Sequence, residues 1–178
     1  MSSLTVYLAD LKGVEWPAPM RRRLQEHFDK VVKAQKTIKT ASVVYSSRAP
    51  KLGDYDLLVY FVDSPDDSVI KKLGGRPKSG VTGWTNWNHS AGASEVYIGA
   101  AQDDPEGIGN LAFHELMHNK SRLDDKVMHN MKELSMGRGY ITADTPLNKA
   151  DIALMVKHLT TKRSQWTEGY SYYHDPMR

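Results

Sequence analysis

Phe113-His114-Glu115-Leu116-Met117-His118 is the stretch that decides the fold of this chain, with Asp124 six residues beyond its second histidine. On a helix, His114 and His118 lie one turn apart on the same face. Two imidazoles at that spacing can reach one zinc ion. Glu115, beside the first of them, can reach a water on that ion without being a ligand itself. Zinc lowers the pKa of the water it holds, and a neighbouring carboxylate takes the proton as that water attacks a carbonyl. The pattern therefore predicts a hydrolytic metal centre carried on a helix.

The sequence on either side supplies that helix with ends. Asp103-Asp104-Pro105-Glu106 offers acidic capping and a first-turn proline, which predicts a helix over roughly residues 105–119. Before it, residues 95–99 read as a strand. The polar segment 80–88, with Trp84 and Trp87, suits an exposed edge strand to which a peptide can add. Covering the sheet is the other use for those two tryptophans. Further upstream, residues 56–62 are nearly all apolar and predict a central strand, and residues 41–45 predict another. Ser64-Pro65-Asp66-Asp67 predicts a turn or short helix ending near Gly74-Gly75.

At the start of the chain, Leu4, Val6 and Leu8 alternate as a first strand over residues 4–11. Pro17 and Pro19 then open a helix with Met20, Leu24, Phe28, Val31 and Val32 at helical spacing. Arg21, Arg22, Arg23, Lys30 and Lys33 form its outer face; a solvated face explains them more simply than a nucleic-acid surface. After the motif, residues 120–145 read as irregular, with a turn around Met136. Asn148-Lys149-Ala150-Asp151 starts a final helix whose buried stripe is Ile152, Met155, Val156 and Leu159. A tail rich in Tyr and Trp closes the sequence.

Composition narrows the classes. The 178 residues, 40% hydrophobic, suffice for one cored domain, and the net charge of +3 permits acidic partners without requiring them. There is no cysteine, so disulfides, thiolate zinc sites and a cysteine latency switch within the chain are excluded. No run is long enough to span a membrane, and the first residues read as a strand and not as a leader. A soluble monomer is the expectation, cytoplasmic at synthesis, with non-classical export left open.

The segment from His114 to Asp124 resembles the extended zinc motif of the metzincin metallopeptidases, HExxHxxGxxH/D. Met136, twelve residues past Asp124, matches that family's methionine turn, and the helix from Asn148 matches its C-terminal helix. An aspartate in the third position is what the snapalysins use. The resemblance implies an α+β fold: a mixed twisted sheet, an active-site helix and a C-terminal helix in one catalytic domain over residues 1–178. The upper subdomain would cover about 1–120 and the lower about 121–178. It also implies zinc held by His114, His118 and Asp124, with Glu115 as general base and Met136 supporting the site. Tyr140 is a candidate oxyanion donor. Ser121 stands where the family has glycine, and serine meets the sharp turn there at a cost of roughly 1–2 kcal/mol. Asp125 and His129 therefore stay open as rivals for the third position, and Glu133 behind them.

These expectations describe a zinc-dependent endopeptidase whose peptide or protein substrate lies along residues 80–88. Residues between Asp124 and Tyr140 would wall the pocket for the side chain after the cut. The alternative is a non-catalytic binding protein with a metzincin-like fold. Glu115 favours the enzyme, because a structural zinc site has no use for a general base. A closed site with four protein ligands would favour the alternative.

Overall fold

The computed structural model describes residues 2–10, 18–47, 50–69, 81–85, 93–99 and 104–162. In chain order these form β1 (Ser2–Asp10), α1 (Ala18–Lys33), β2 (Ile38–Ser46) and β3 (Leu57–Val62), followed by a 3-10 turn at Pro65–Asp67. Then come β4 (Gly83–Trp84), β5 (Ala93–Tyr97), α2 (Pro105–Ser121), α3 (Asp125–Met128) and α4 (Lys149–Leu159). Pro17, Gly74-Gly75, Trp87 and the aromatic tail lie outside the described residues. No helix among those described is long and apolar enough to cross a membrane.

The fold is α+β around a five-stranded mixed sheet in the order β2-β1-β3-β5-β4. β1 pairs in parallel with both β2 and β3, and β3 in parallel with β5; β4 alone runs antiparallel, along β5. Parallel neighbours need a crossover, and α1 supplies it between β1 and β2. The apolar run of β3 sits at the centre with all six residues buried, as its composition predicts. Leu57, Val59 and Phe61 face the helices, whereas Leu58, Tyr60 and Val62 join Tyr97, Leu52 and Val69 on the opposite face. Trp84 is half-buried and packs on that second cluster, so it does cover the sheet.

Strand β2 begins earlier than residue 41 because Gln35 organises the approach to it. The Gln35 side-chain Oε1 accepts from Thr37 N and Ile38 N, and its Nε2 donates to Val32 O and Ile38 O. Gln25 of α1 then occupies part of the outer edge of β2, accepting from Val43 N at 2.8 Å and donating to Ala41 O at 2.9 Å. An edge so occupied is a poor template for further strand pairing.

Helix α2 is buried on every side from Gly107 to Ser121. Gly109 allows its closest approach to α1: a Cβ there would lie 2.8 Å from the Met20 carbonyl oxygen. Phe113 meets Phe28 and His27 edge-on, and each large apolar side chain so buried contributes about 1.5–3 kcal/mol. Arg23, expected on the solvated face, instead forms an ion pair with Glu106 at the start of α2. At the other end, buried Lys120 donates to Leu159 O and Thr161 O at 3.3 and 3.4 Å, tying α2 to the last turn of α4. Burial pulls the Lys120 pKa down to about 7.

His27 makes a testable contribution to this packing. Its Nε2 donates to Asn110 Oδ1 at 2.7 Å, and burial holds its pKa below the usual 6.5. Below about pH 6.5 the unfolded chain binds a proton at His27 that the folded chain refuses, so stability falls as pH falls. His27→Gln, which keeps a donor for Asn110, should shrink the loss of melting temperature between pH 8 and pH 5. An unchanged loss would show that other groups carry it.

Candidate metal centre

Asp104 starts the helix that carries the centre. Its carboxylate accepts from Glu106 N at 3.0 Å and Gly107 N at 3.4 Å, with Pro105 in the first turn. His114 and His118 then project from one face of α2. His114 Nδ1 donates to the Met136 carbonyl at 2.6 Å, and His118 Nδ1 donates to the Leu123 carbonyl at 2.7 Å. With each proton held on Nδ1, both Nε2 lone pairs face inward.

A third imidazole, His129, meets them from the C-terminal end of α3. Its Nε2 lies 3.2 Å from His118 Nε2 and 3.4 Å from His114 Nε2, and the latter two are 3.2 Å apart. These three side chains offer ligand atoms within 4.8 Å of one another and could hold a metal ion. Zinc–nitrogen bonds of about 2.0–2.1 Å at tetrahedral angles place nitrogens roughly 3.3–3.4 Å apart, so the spacing fits. Burial, reinforced by the neighbouring imidazoles, drives the His114 pKa down to about 3; burial lowers that of His118 as well. At neutral pH both imidazoles are therefore uncharged, each with its single proton on Nδ1 and its Nε2 lone pair open to a cation.

Asp124 is the residue expected in the third position; the group that could hold a metal joins His129, and not Asp124, to His114 and His118. Helix α2 runs on to Ser121, whose Oγ donates to Met117 O at 2.7 Å and accepts from Leu123 N at 3.3 Å. The residue that turns the chain is Arg122, left-handed at φ 58°, a conformation costing roughly 1–2 kcal/mol outside glycine. The chain emerges with Asp124 as the N-cap of α3, its carboxylate accepting from Val127 N at 2.9 Å. That single turn carries His129 to the site, five residues later than the family spacing. Of the other rivals, Asp125 lies beside the cluster, its Oδ1 3.5 Å from His118 Nε2 and 3.8 Å from His129 Nε2. Glu133 is exposed, and its backbone carbonyl accepts from the Asn148 side chain.

Glu115 is buried beside the histidines, with its carboxylate turned toward the sheet edge. Thr85 Oγ1 lies 2.7 Å from Glu115 Oε2 and 2.9 Å from the Glu115 carbonyl oxygen; Ser94 Oγ donates to that carbonyl at 3.2 Å. Gly83 of β4 faces the same carboxylate, and a Cβ on it would come within 2.5 Å of Glu115 Oε1. Burial first, then the charges of Asp125 and Glu95, push the Glu115 pKa up to about 8; the Thr85 hydroxyl pulls the other way.

The turn containing Met136 is held from α4. Asp151 Oδ1 accepts from Ser135 N, Met136 N and Gly137 N at 3.1, 3.0 and 3.3 Å, while Oδ2 accepts from Asn148 N at 3.0 Å. One buried carboxylate thus sets both the helix cap and the carbonyl that orients His114. Met136 itself is fully buried among the helices. Tyr140 stands 80% exposed at the mouth of the site.

Two cavities flank the cluster. One, of about 440 Å³, is lined by Leu111, His114, Glu115, His129, Tyr140 and Ile141 among others. The second, of about 360 Å³, lies toward Trp84, Thr85, His118, Leu123 and Asp124. Glu115, Gly83 and Asp125 line both. Thr85, Ser94, Gly83 and the role of Asp151 were not anticipated from sequence, because each acts on a residue at least 14 positions away. Residues 120–145 read as irregular from sequence, yet the i, i+4 spacing of Asp125 and His129 is the signal that could have pointed to α3. Comparison with protein-family models, with curated proteins and with solved structures gives no match to this chain.

Proposed function

We propose that this chain is a zinc-dependent endopeptidase of metzincin type, with His114, His118 and His129 as ligands. The observation that carries the proposal is the convergence of three Nε2 atoms beside a buried glutamate that none of them needs as a ligand. The antiparallel edge strand next to the motif helix, and the methionine turn against His114, support the same family reading. These three histidines would hold a zinc ion, which would supply Lewis acidity toward the scissile carbonyl and toward water.

The remaining steps belong to the chain's own residues. With a cation beside it to offset the burial that otherwise keeps it protonated, Glu115, one residue on from His114 along the helix, takes the proton of the attacking water and returns it to the leaving amine nitrogen. Thr85 orients that carboxylate through its hydroxyl. An extended peptide pairs with β4 at the sheet edge, which places its backbone alongside Glu115. The side chain after the cut enters the larger cavity, whose apolar wall of Leu111, Ile141 and Ala143 favours an apolar residue there. That wall extends past Tyr140, beyond the segment read from sequence. Tyr140 lines this cavity and is the candidate oxyanion donor once substrate is in place.

The direct test is elemental analysis of the purified protein together with cleavage of an unbiased peptide library. One zinc per chain and cleavage abolished by a chelator are expected. A protein with full zinc that cuts nothing in the library would be a binding protein. The closeness of Asp125 to His118 and His129 is the observation that favours that alternative, since a carboxylate as fourth ligand could close the site.

Gly83 offers a separate check on the geometry. Gly83→Val should drive the Glu115 carboxylate from its place and slow cleavage by on the order of 10²-fold, with zinc content unchanged. A variant as fast as the wild type would show that β4 does not confine Glu115.

A further inference from the structure

Asp125 has no assigned part in the chemistry above, yet its carboxylate stands beside two of the three histidines, on the rim of the metal centre. Oδ1 is 3.5 Å from His118 Nε2 and 3.8 Å from His129 Nε2. The donors around a tetrahedral zinc lie roughly 3.3–3.4 Å apart, so that oxygen is near ligand spacing from two of the three nitrogens; it stands outside the group whose ligand atoms all converge, and the exposed side chain must rotate inward to complete a fourth vertex. The placement is built by the backbone. Asp125 and His129 are one turn apart at α3, and Asp124 caps that turn, so a single element carries a ligand to the centre and this carboxylate to its edge. Asp125 also lines both cavities, between the histidines and the substrate path. Its side chain is 66% exposed, in contrast to the buried His114 and His118. A carboxylate on an exposed single turn of helix can swing into water without breaking any packing. The chain has no cysteine that could close the site instead.

We propose that Asp125 is a fourth, displaceable ligand that closes the metal centre until an incoming peptide carbonyl or water takes its place. The inference rests on the three-histidine assignment and deepens it. Asp125 competes for the position the reaction needs, so the resting protein is held back by its own chain. Its removal should weaken metal binding and open the site at the same time.

The experiment uses the full chain loaded with Co²⁺ in place of zinc, comparing wild type with Asp125→Ala and Asp125→Asn. Asp124→Ala serves as control because it loosens α3 without removing the carboxylate. Three readouts apply: the visible absorption of the cobalt, metal affinity against a chromogenic chelator, and binding of acetohydroxamate as an external ligand. In both Asp125 variants the cobalt bands should shift, metal affinity should fall by roughly 10–100-fold, and acetohydroxamate should bind about tenfold more tightly. Asp124→Ala should leave the hydroxamate affinity near that of wild type. Wild-type bands and hydroxamate affinity in the Asp125 variants, with metal bound, would overturn this proposal and leave the three-histidine site standing. Equal shifts in Asp124→Ala would show that the effect comes from α3 alone and would likewise overturn it. A wild-type protein that takes up no cobalt or zinc would overturn both together.

Discussion

His129→Ala should cost the protein its zinc, whereas Asp124→Ala should keep it. One of three ligands' share of a binding free energy of about 10–16 kcal/mol corresponds to a loss of affinity on the order of 10²–10⁴-fold. His129 Nε2 lies 3.2 Å and 3.4 Å from the other two inward-facing nitrogens, so nothing else on its own segment can replace it as a nitrogen donor. Asp124 is the exposed cap of α3, and losing a cap costs about 1 kcal/mol, which loosens the turn without removing a ligand. Chelator competition on the two variants separates these outcomes. Zinc retained in His129→Ala and lost in Asp124→Ala would restore the ligand set read from sequence, and with it the family's usual spacing.

The second large effect is expected at Glu115. Glu115→Gln keeps the shape of the side chain and an acceptor for Thr85, so zinc content should not change. Cleavage of any peptide the wild type accepts should slow by about 10²–10⁴-fold, the usual worth of general acid–base help. In the metal-free protein the same residue should leave a mark on stability. Burial raises its folded pKa from 4.5 to about 8, so between those values the folded chain holds a proton that the unfolded chain has lost. Stability is then greatest below about pH 4.5 as far as Glu115 is concerned, and it falls as pH rises to 8. Glu115→Gln should remove that fall. Equal cleavage rates at equal zinc content would show that Glu115 is not the base. A melting temperature with the same pH dependence in both proteins would show that its burial is not what the fold works against.

What could be read directly were the features that short stretches of chain carry by themselves. The i, i+4 pair His114 and His118 needs only a helix, and Asp104-Pro105 supplies its start. The run of β3 is apolar on both faces, which only a central strand can satisfy. Asn148 and Asp151 form a capping box within four residues.

Tertiary structure decided whatever depends on where a segment goes after its element ends. Ser121 suggested a turn near Asn119, but its hydroxyl could bond back to Met117 O, so the helix continued to Ser121 and Arg122 took the left-handed turn. That shift of exit made Asp124 a cap and put His129 at the centre. No pattern within the motif encodes this, because a carboxylate and an imidazole five residues apart are equally good zinc ligands. The same limit hid the support around the site. Thr85 and Gly83 hold Glu115 from a strand of two residues, and Asp151 fixes the Met136 carbonyl from another helix. Sequence alone determined that a helix would present two imidazoles and a carboxylate to one point, since local backbone geometry does that. Which third side chain would join them was decided by long-range packing, since only the folded chain brings α3 back across the end of α2.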